Sequence, residues 1–194
     1  NTATALLAAH DKARTALMLD AAAVPHPRTG VVRSPSDPLS VSPPLVIKPR
    51  FGSWGTDVML CATSEELDRA LERVSTRQWW ARHGALVQEL VPPTGRDLRL
   101  LVAGGEVVGS AARVAAAGEW RTNVSVGGHL ERAEPSREAV AEAERAARVL
   151  EIDLAGVDLL PWDGGWVVLE VNGAIDFDER YVLPGRDMYR EIAQ

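Results

Sequence analysis

Ala155-Gly156-Val157-Asp158-Leu159-Leu160-Pro161-Trp162-Asp163-Gly164-Gly165-Trp166-Val167-Val168-Leu169-Glu170-Val171-Asn172 reads as a β-hairpin, two apolar-rich runs joined by Asp-Gly-Gly. A three-residue loop of Asp163, Gly164 and Gly165 suits a type I turn followed by a glycine in the left-handed region. Trp162 is then expected to pair with Trp166, and counting outwards sets Asp158 directly opposite Glu170. Asn172, two residues further along, points to the same face. The other face carries Val157, Leu159, Val167, Leu169 and Val171, an apolar surface suited to a core. With a two-residue loop, Asp158 would face the core instead.

Two carboxylates directly opposed on a sheet sit about 5 Å apart. At an effective dielectric near 20 they repel by about 3 kcal/mol. Either an arginine or a bound cation must offset this. Asp158, Glu170 and the Asn172 amide oxygen form a hard-oxygen set suited to Mg²⁺, especially where phosphates supply further ligands. The alternative is a solvated face without metal.

Upstream of this hairpin lies another, Asp97 to Val102 returning through Glu106 to Val114 around Gly104-Gly105. Between the two, Ser136 caps a helix with Ala139, Val140, Ala143, Ala147 and Leu150 on one stripe. Asp187 to Ala193 reads as a short final helix. Further upstream, Leu45-Val46-Ile47-Lys48 is a strand stopped by Pro49, Asp57 to Cys61 a second, and Ala85 to Val91 a third. Thr63 with Glu66 makes a capping box before a helix bearing Leu67, Ala70, Leu71 and Val74. Ser34 to Pro44 is a Ser/Pro-rich loop. Thr2 to Asp20 reads as one helix with Leu6, Ala9, Ala13, Ala16 and Leu17 near period 3.6. The expected organisation is a leading helix over 1–22, a small lobe over 23–90 and a large lobe over 91–194, an α+β chain of short antiparallel strands.

The 194 residues carry a net charge of −6, 46% hydrophobic and 25% charged side chains, so the chain belongs to the globular class and not to the disordered one. The acidic balance argues against nucleic acid as a partner. No apolar run nears the roughly 18 residues a membrane span needs, so no membrane partner is expected. A single cysteine, Cys61, excludes an internal disulfide and a cysteine zinc cage, and points to a reducing, cytoplasmic compartment. A chain opening on asparagine is expected to be part of something longer. Oligomeric state is not legible.

Of the 21 basic residues, only Lys12 and Lys48 are lysines. A compact ammonium differs from a planar guanidinium where chemistry demands one or the other, so both lysines are candidates for a chemical role. Lys48 is followed closely by Gly52-Ser53-Trp54-Gly55, which either cradles an anion with its backbone N–H groups or is an ordinary hairpin turn. Arg99, Arg113 and Arg121 are candidate anion-binding forks. Neither Gly-x-x-x-x-Gly-Lys nor Gly-x-Gly-x-x-Gly occurs, which disfavours P-loop NTPases and fingerprint-bearing dinucleotide enzymes.

Taken in order, these segments resemble the ATP-grasp superfamily, in particular the ribosomal-protein S6 glutamate ligases and related amino-acid ligases. The resemblance rests on Asp11-Lys12, Val24-Pro25-His26-Pro27-Arg28-Thr29, Val46-Ile47-Lys48-Pro49 with Gly52-Ser53-Trp54-Gly55, and Val87-Gln88-Glu89-Leu90-Val91. It continues through Gly95-Arg96-Asp97-Leu98-Arg99, Arg121-Thr122-Asn123 with Gly127-Gly128, Ala155-Gly156-Val157-Asp158 and Leu169-Glu170-Val171-Asn172.

The resemblance implies two α+β lobes clamping ATP, with Lys12 and Lys48 as nucleotide lysines. It implies that Gln88, Glu89, Leu90 and Val91 form the adenine hinge and that Asp97 is the ribose-side acid, with Arg99 nearby. Arg121, Asn123 and Arg113 would act on phosphates and the developing acyl-phosphate, and Asp158, Glu170 and Asn172 would hold Mg²⁺, or Mn²⁺ in its place. The implied reaction joins a small-molecule or peptide carboxylate to an amine at the expense of ATP. The alternatives are a catalytically silent nucleotide-binding module and an ATP-grasp kinase. Three departures stand out. The family's N-terminal domain is expected to be lacking from this stretch of sequence, and the Ser34–Pro44 loop is expected to replace a helix. Gly173-Ala174-Ile175-Asp176-Phe177 follows Asn172 where glutamate ligases tend to carry a small residue and proline, which leaves the acid open.

Overall fold

The computed structural model describes residues 1–193. Two antiparallel sheets organise the chain. β1 (Thr29–Val32), β2 (Leu45–Pro49), β3 (Met59–Cys61) and β4 (Ala85–Glu89) form a four-stranded sheet in the order β1-β4-β2-β3. β5 (Arg96–Ala103), β6 (Glu106–Val114), β7 (His129–Arg132), β8 (Leu154–Trp162) and β9 (Gly165–Asn172) form a five-stranded sheet in the order β7-β6-β5-β8-β9. This is the α+β architecture expected.

The period-2 pattern explains which face of each sheet is dry. In the small sheet Leu45, Ile47, Ala85 and Val87 point into a core with Leu67, Ala70, Leu71 and Val74 of α3 (Ser64–Ser75). Val46, Lys48, Leu86 and Gln88 alternate to the other face. α3 starts as its sequence dictates: Thr63 Oγ1 accepts from the Glu66 N–H at 3.2 Å, and Glu66 reaches back to the Ala62 N–H at 2.6 Å. The large sheet packs Leu98, Leu100, Val157, Leu159, Val168 and Val171 against the alanine stripe of α5 (Arg137–Val149), which Ser136 caps.

The leading segment departs from the expected single helix. α1 (Ala3–His10) and α2 (Lys12–Ala21) break at Asp11, whose side chain accepts from the Ala13 and Arg14 N–H groups and so caps α2. The break rotates the buried stripe. Ala5, Ala8 and Ala9, then Ala13, Ala16 and Leu19, are inside, whereas Leu6 and Leu17 are 38% and 72% exposed. Ala5, Ala9 and Leu19 join the core of the five-stranded sheet, so the start of the chain packs with its end. β1, β7 and the short α4 (Gln78–His83) are too short to carry a readable period. The last helix, α6 (Met188–Ile192), lies where expected.

The deciding hairpin is built differently from its expected form. Its loop is two residues, with Trp162 paired to Gly165 and not to Trp166. Asp163 at φ 50° and Gly164 at φ 79° give the left-handed pair that a type I′ turn requires. The ladder then runs Pro161 to Trp166, Leu160 to Val167 and Leu159 to Val168, and shifts by one residue so that Asp158 pairs with Glu170. Leu169 is the extra residue of a β-bulge. The bulge compensates the shorter turn, so the expected register at the carboxylates holds. Leu169 therefore does not join the core: Val168 is fully buried, while Leu169 is half-buried on the opposite side.

Candidate active site

The polar faces of the two sheets meet across a cleft, and strand alternation delivers its chemistry. From the small sheet come Lys48, Gln88 and Val46. From the large sheet come Asp97, Arg113, Asp158, Glu170, Leu160 and Leu169. The chain passes between the sheets at Glu89-Leu90-Val91, which form the back wall. Lys12 enters from the first turn of α2, and Gly52-Ser53-Trp54-Gly55 cover the opening. Arg121 and Asn123 face that loop from the other side. The cleft thus gathers nearly every residue singled out from sequence. The exceptions are Arg99, which lies behind Asp158, and Asn172, whose Nδ2 lies 3.4 Å from Asp158 Oδ2.

Asp158 is 2% exposed and is held by arginines, which supply the offset its position demands. Arg99 donates to both carboxylate oxygens at 2.6 and 2.8 Å, and Arg113 adds a contact of 2.9 Å. Burial opposes the charge, but Arg113 and Arg99 outweigh it and hold the carboxyl below its ordinary pKa. Arg113 also donates to Asp97 at 2.8 and 2.5 Å, and Thr122 Oγ1 donates to the same carboxylate at 2.6 Å. Asp97–Arg113–Asp158–Arg99 is therefore one buried chain of alternating charge. Both oxygens of Asp97 carry protein donors, so it braces the wall as well as facing the cleft.

Glu170 meets Lys12, with Nζ 2.9 Å from Oε1, and the same ammonium donates to the Gly52 carbonyl at 2.6 Å. Lys48 is 8% exposed and donates to Gln88 Oε1 at 2.7 Å. Burial pushes its pKa down to about 8, with Glu170 pulling the other way.

The glycine loop lies across the cleft and is fastened to the far side. Arg121 donates to the Gly55 carbonyl at 3.1 Å, and Ser125 donates to the Trp54 carbonyl at 2.7 Å. Gly52, Trp54, Gly55 and Asp57 all have positive φ, and Trp54 is 77% exposed. Asp57 anchors the loop's end by accepting from Trp79 Nε1 at 2.9 Å.

Sequence reading missed the apolar part of this cleft. Val46, Leu160 and Leu169 line it together with Leu90 and Val91. A signal existed for Val46, which alternates with Leu45 and Ile47. None existed for Leu169, because its facing depends on the bulge.

Among the described residues no cluster of three or more His, Cys, Asp or Glu side chains is arranged for a metal. Asp158, Glu170 and Asn172 do share one face, and two carboxylates with an amide suit a Mg²⁺ that completes its shell from phosphate and water. By donor type the set suits that ion and no all-protein cage, while in this structure Asp158 gives both its oxygens to Arg99 and Arg113, and Glu170 pairs with Lys12.

Residues 9–193 match the family model described as the RimK-like ATP-grasp domain. The chain is 34% identical over 200 residues to a probable alpha-L-glutamate ligase of Pseudomonas paraeruginosa (strain DSM 24068 / PA7), covering 100% of this chain and 65% of that protein. It is 36% identical over 198 residues to the protein of the same description in Thioalkalivibrio sulfidiphilus (strain HL-EbGR7), covering 99% and 64%. The chain thus spans 65% or less of the length of these two relatives. A crystal structure of a D-cycloserine synthetase superposes with a TM-score of 0.73 at 22% identity, over 95% of this chain and 69% of that one. The D-alanine–D-alanine ligase of Bacillus anthracis in complex with ATP gives 0.68 at 20% identity, over 94% and 60%. At these identities the structures speak for the fold, and the family model and relatives speak for kinship. The chain belongs to the RimK-like ATP-grasp family.

Proposed function

We propose that this chain is the nucleotide-binding and catalytic part of an ATP-dependent ligase that joins a carboxylate to an amine through an acyl-phosphate. The observation that carries the reading is the convergence, in one cleft, of an apolar wall, two lysines, a glycine loop and a carboxylate-bearing hairpin. An adenine fits between Val46, Leu160 and Leu169, beside the backbone of Glu89 to Val91. The phosphates then run towards Lys48, Lys12 and the Gly52–Gly55 loop.

The acid's carboxylate attacks the γ-phosphorus, forming an acyl C–O–P linkage and releasing ADP. The amine then attacks the acyl carbon and expels phosphate. Such chemistry requires cancellation of charge on the transferred group more than a strong protein base. Lys12, Lys48 and Arg121 supply that charge, and Asn123 offers a neutral donor beside it. Asp158, Glu170 and Asn172 would hold Mg²⁺ or Mn²⁺, which when bound supplies further positive charge to the phosphates. The loop fastened by Arg121 and Ser125 shields an acyl-phosphate from water. In this reading residues 23–90 form the small lobe and 91–194 the large one, and the enzyme works in the cytoplasm.

The naming of the relatives makes glutamate the first acid to test, with a peptide or amino-acid amine as acceptor. Trapping with hydroxylamine tests the reading: ATP, Mg²⁺ and the correct acid yield a hydroxamate and ADP. No hydroxamate from a chain that binds ATP, across a broad panel of amino acids and other carboxylic acids, contradicts it. A phosphorylated hydroxyl product would identify a kinase.

A further inference from the structure

The segment Val24 to Thr29 contributes no side chain to the walls of the nucleotide cleft, yet its last residue reaches the cleft through two others. β1 pairs with β4 so that Thr29 lies opposite Gln88, and β2 pairs with β4 so that Lys48 lies opposite Leu86, two residues from Gln88 on the same face. Thr29, Gln88 and Lys48 are therefore neighbours by register.

Their hydrogen bonds form a directed chain. Lys48 Nζ donates to Gln88 Oε1 at 2.7 Å, Gln88 Nε2 donates to Thr29 Oγ1 at 2.9 Å, and Thr29 Oγ1 donates to the Pro27 carbonyl at 2.8 Å. Every polarity in the chain is forced. An ammonium can only donate, so the Gln88 oxygen must face it and the amide nitrogen must face Thr29. Thr29 accepts that bond and spends its single proton on Pro27. Lys48 and Gln88 are 8% and 4% exposed, so a reversed amide would set two donors against each other without water to relieve them. The residue just before β1 secures the next position of β4: the Arg28 carbonyl accepts the Glu89 N–H at 2.9 Å, and the Arg28 guanidinium grips the Glu89 carboxylate at 3.1 Å.

We infer that Thr29 and Gln88 are positioning residues for Lys48, and that Gln88 serves the phosphate end of the nucleotide and not its base. The inference rests on the proposal that the cleft binds ATP with Lys48 at the phosphates. Thr29 fixes the amide of Gln88, and Gln88 fixes the direction of the Lys48 ammonium.

Calorimetric titration of the chain with ATP and, separately, with adenosine tests this. For Thr29→Val, which keeps side-chain volume and removes the hydroxyl, the Kd for ATP should rise about five- to tenfold. Its Kd for adenosine should stay within about twofold of the parent's, because adenosine has no phosphate for Lys48 to meet. Thr29→Ser should restore ATP affinity to within about twofold, since its hydroxyl remains. Gln88→Met should follow Thr29→Val. Equal losses for ATP and adenosine in Gln88→Met would place Gln88 at the base and overturn the inference. An unchanged ATP affinity in Thr29→Val would overturn it too. A parent chain that binds adenosine and ATP equally, or neither, contradicts the proposed function itself.

Discussion

Asp158 stands directly opposite Glu170 across the β8–β9 ladder, although the turn between their strands is one residue shorter than that register requires of a regular hairpin. Leu169 makes up the difference by bulging. The bulge leaves Leu169 unpaired in the ladder, and as a result Leu169 and Glu170, adjacent in sequence, both line the cleft. A regular strand would have sent one of them to the core.

Leu169→Ala therefore tests the apolar wall without touching the core. Removing a half-buried leucine that would cover a bound base should raise the Kd for ATP about five- to twentyfold, the equivalent of about 1–2 kcal/mol. Val168→Ala, one residue away and fully buried, should instead lower the melting temperature while leaving nucleotide affinity close to the parent's. Isothermal titration and thermal denaturation of the two variants distinguish these outcomes.

Asp158→Asn should abolish Mg²⁺-dependent turnover and also destabilise the fold. It leaves Arg99 and Arg113, which are 20% and 7% exposed, without their shared anion. Breaking such a buried network typically costs about 3–5 kcal/mol. Because arginine contacts hold the Asp158 pKa below its ordinary value, the parent's contribution from this group is complete above that ordinary value. It is lost as pH falls through the lower, folded-state value. Urea denaturation should therefore show that the difference between parent and Asp158→Asn narrows towards strongly acid pH.

Lys48 predicts a pH dependence of the opposite sense. Its folded-state pKa is pushed down to about 8, so above that pH the free chain holds a neutral amine. Phosphates favour the ammonium, so ATP must bring a proton with it. The Kd for ATP should be nearly flat below about pH 7.5 on Lys48's account, then rise towards tenfold per pH unit above about pH 8. Lys48→Arg keeps its charge throughout and should remove that rise, whatever its absolute affinity.

Gly55→Ala tests the loop that crosses the cleft. Gly55 has φ +69°, and a Cβ there would come 2.9 Å from Asn123 Oδ1. A side chain in the left-handed region costs about 1–2 kcal/mol, and the contact adds to that, so the fastened conformation is depopulated. Turnover should fall about five- to thirtyfold, and the fraction of ATP hydrolysed without product should increase. Stoichiometry of ADP to ligated product measures both.

Much of this architecture is written locally, and the exceptions have a common cause. The α3 capping box, the alanine stripe of α5 and the Leu45–Lys48 strand depend on neighbours within a few residues, and they appear as the sequence implies. The break at Asp11 was legible only in part, since Asp is an ordinary N-cap residue but the run around it is helical throughout. The Leu169 bulge and the Asp97–Arg113–Asp158–Arg99 chain depend on strands far apart in sequence. No local pattern announces which arginines will be buried: Arg99 and Arg113 read like the other members of an arginine-rich chain until β5 and β8 are placed side by side. The two lysines were the more informative signal, and both line the cleft.

The central claim is that a carboxylate is activated by phosphoryl transfer in this cleft, and oxygen labelling tests it most directly. With an ¹⁸O-labelled carboxylate substrate, ATP, Mg²⁺ and the accepting amine, collapse of an acyl-phosphate carries one labelled oxygen from acid to phosphate. Mass spectrometry should find one ¹⁸O in each phosphate released, matched by one new C–N bond. Phosphate released without label, alongside product, would contradict the account.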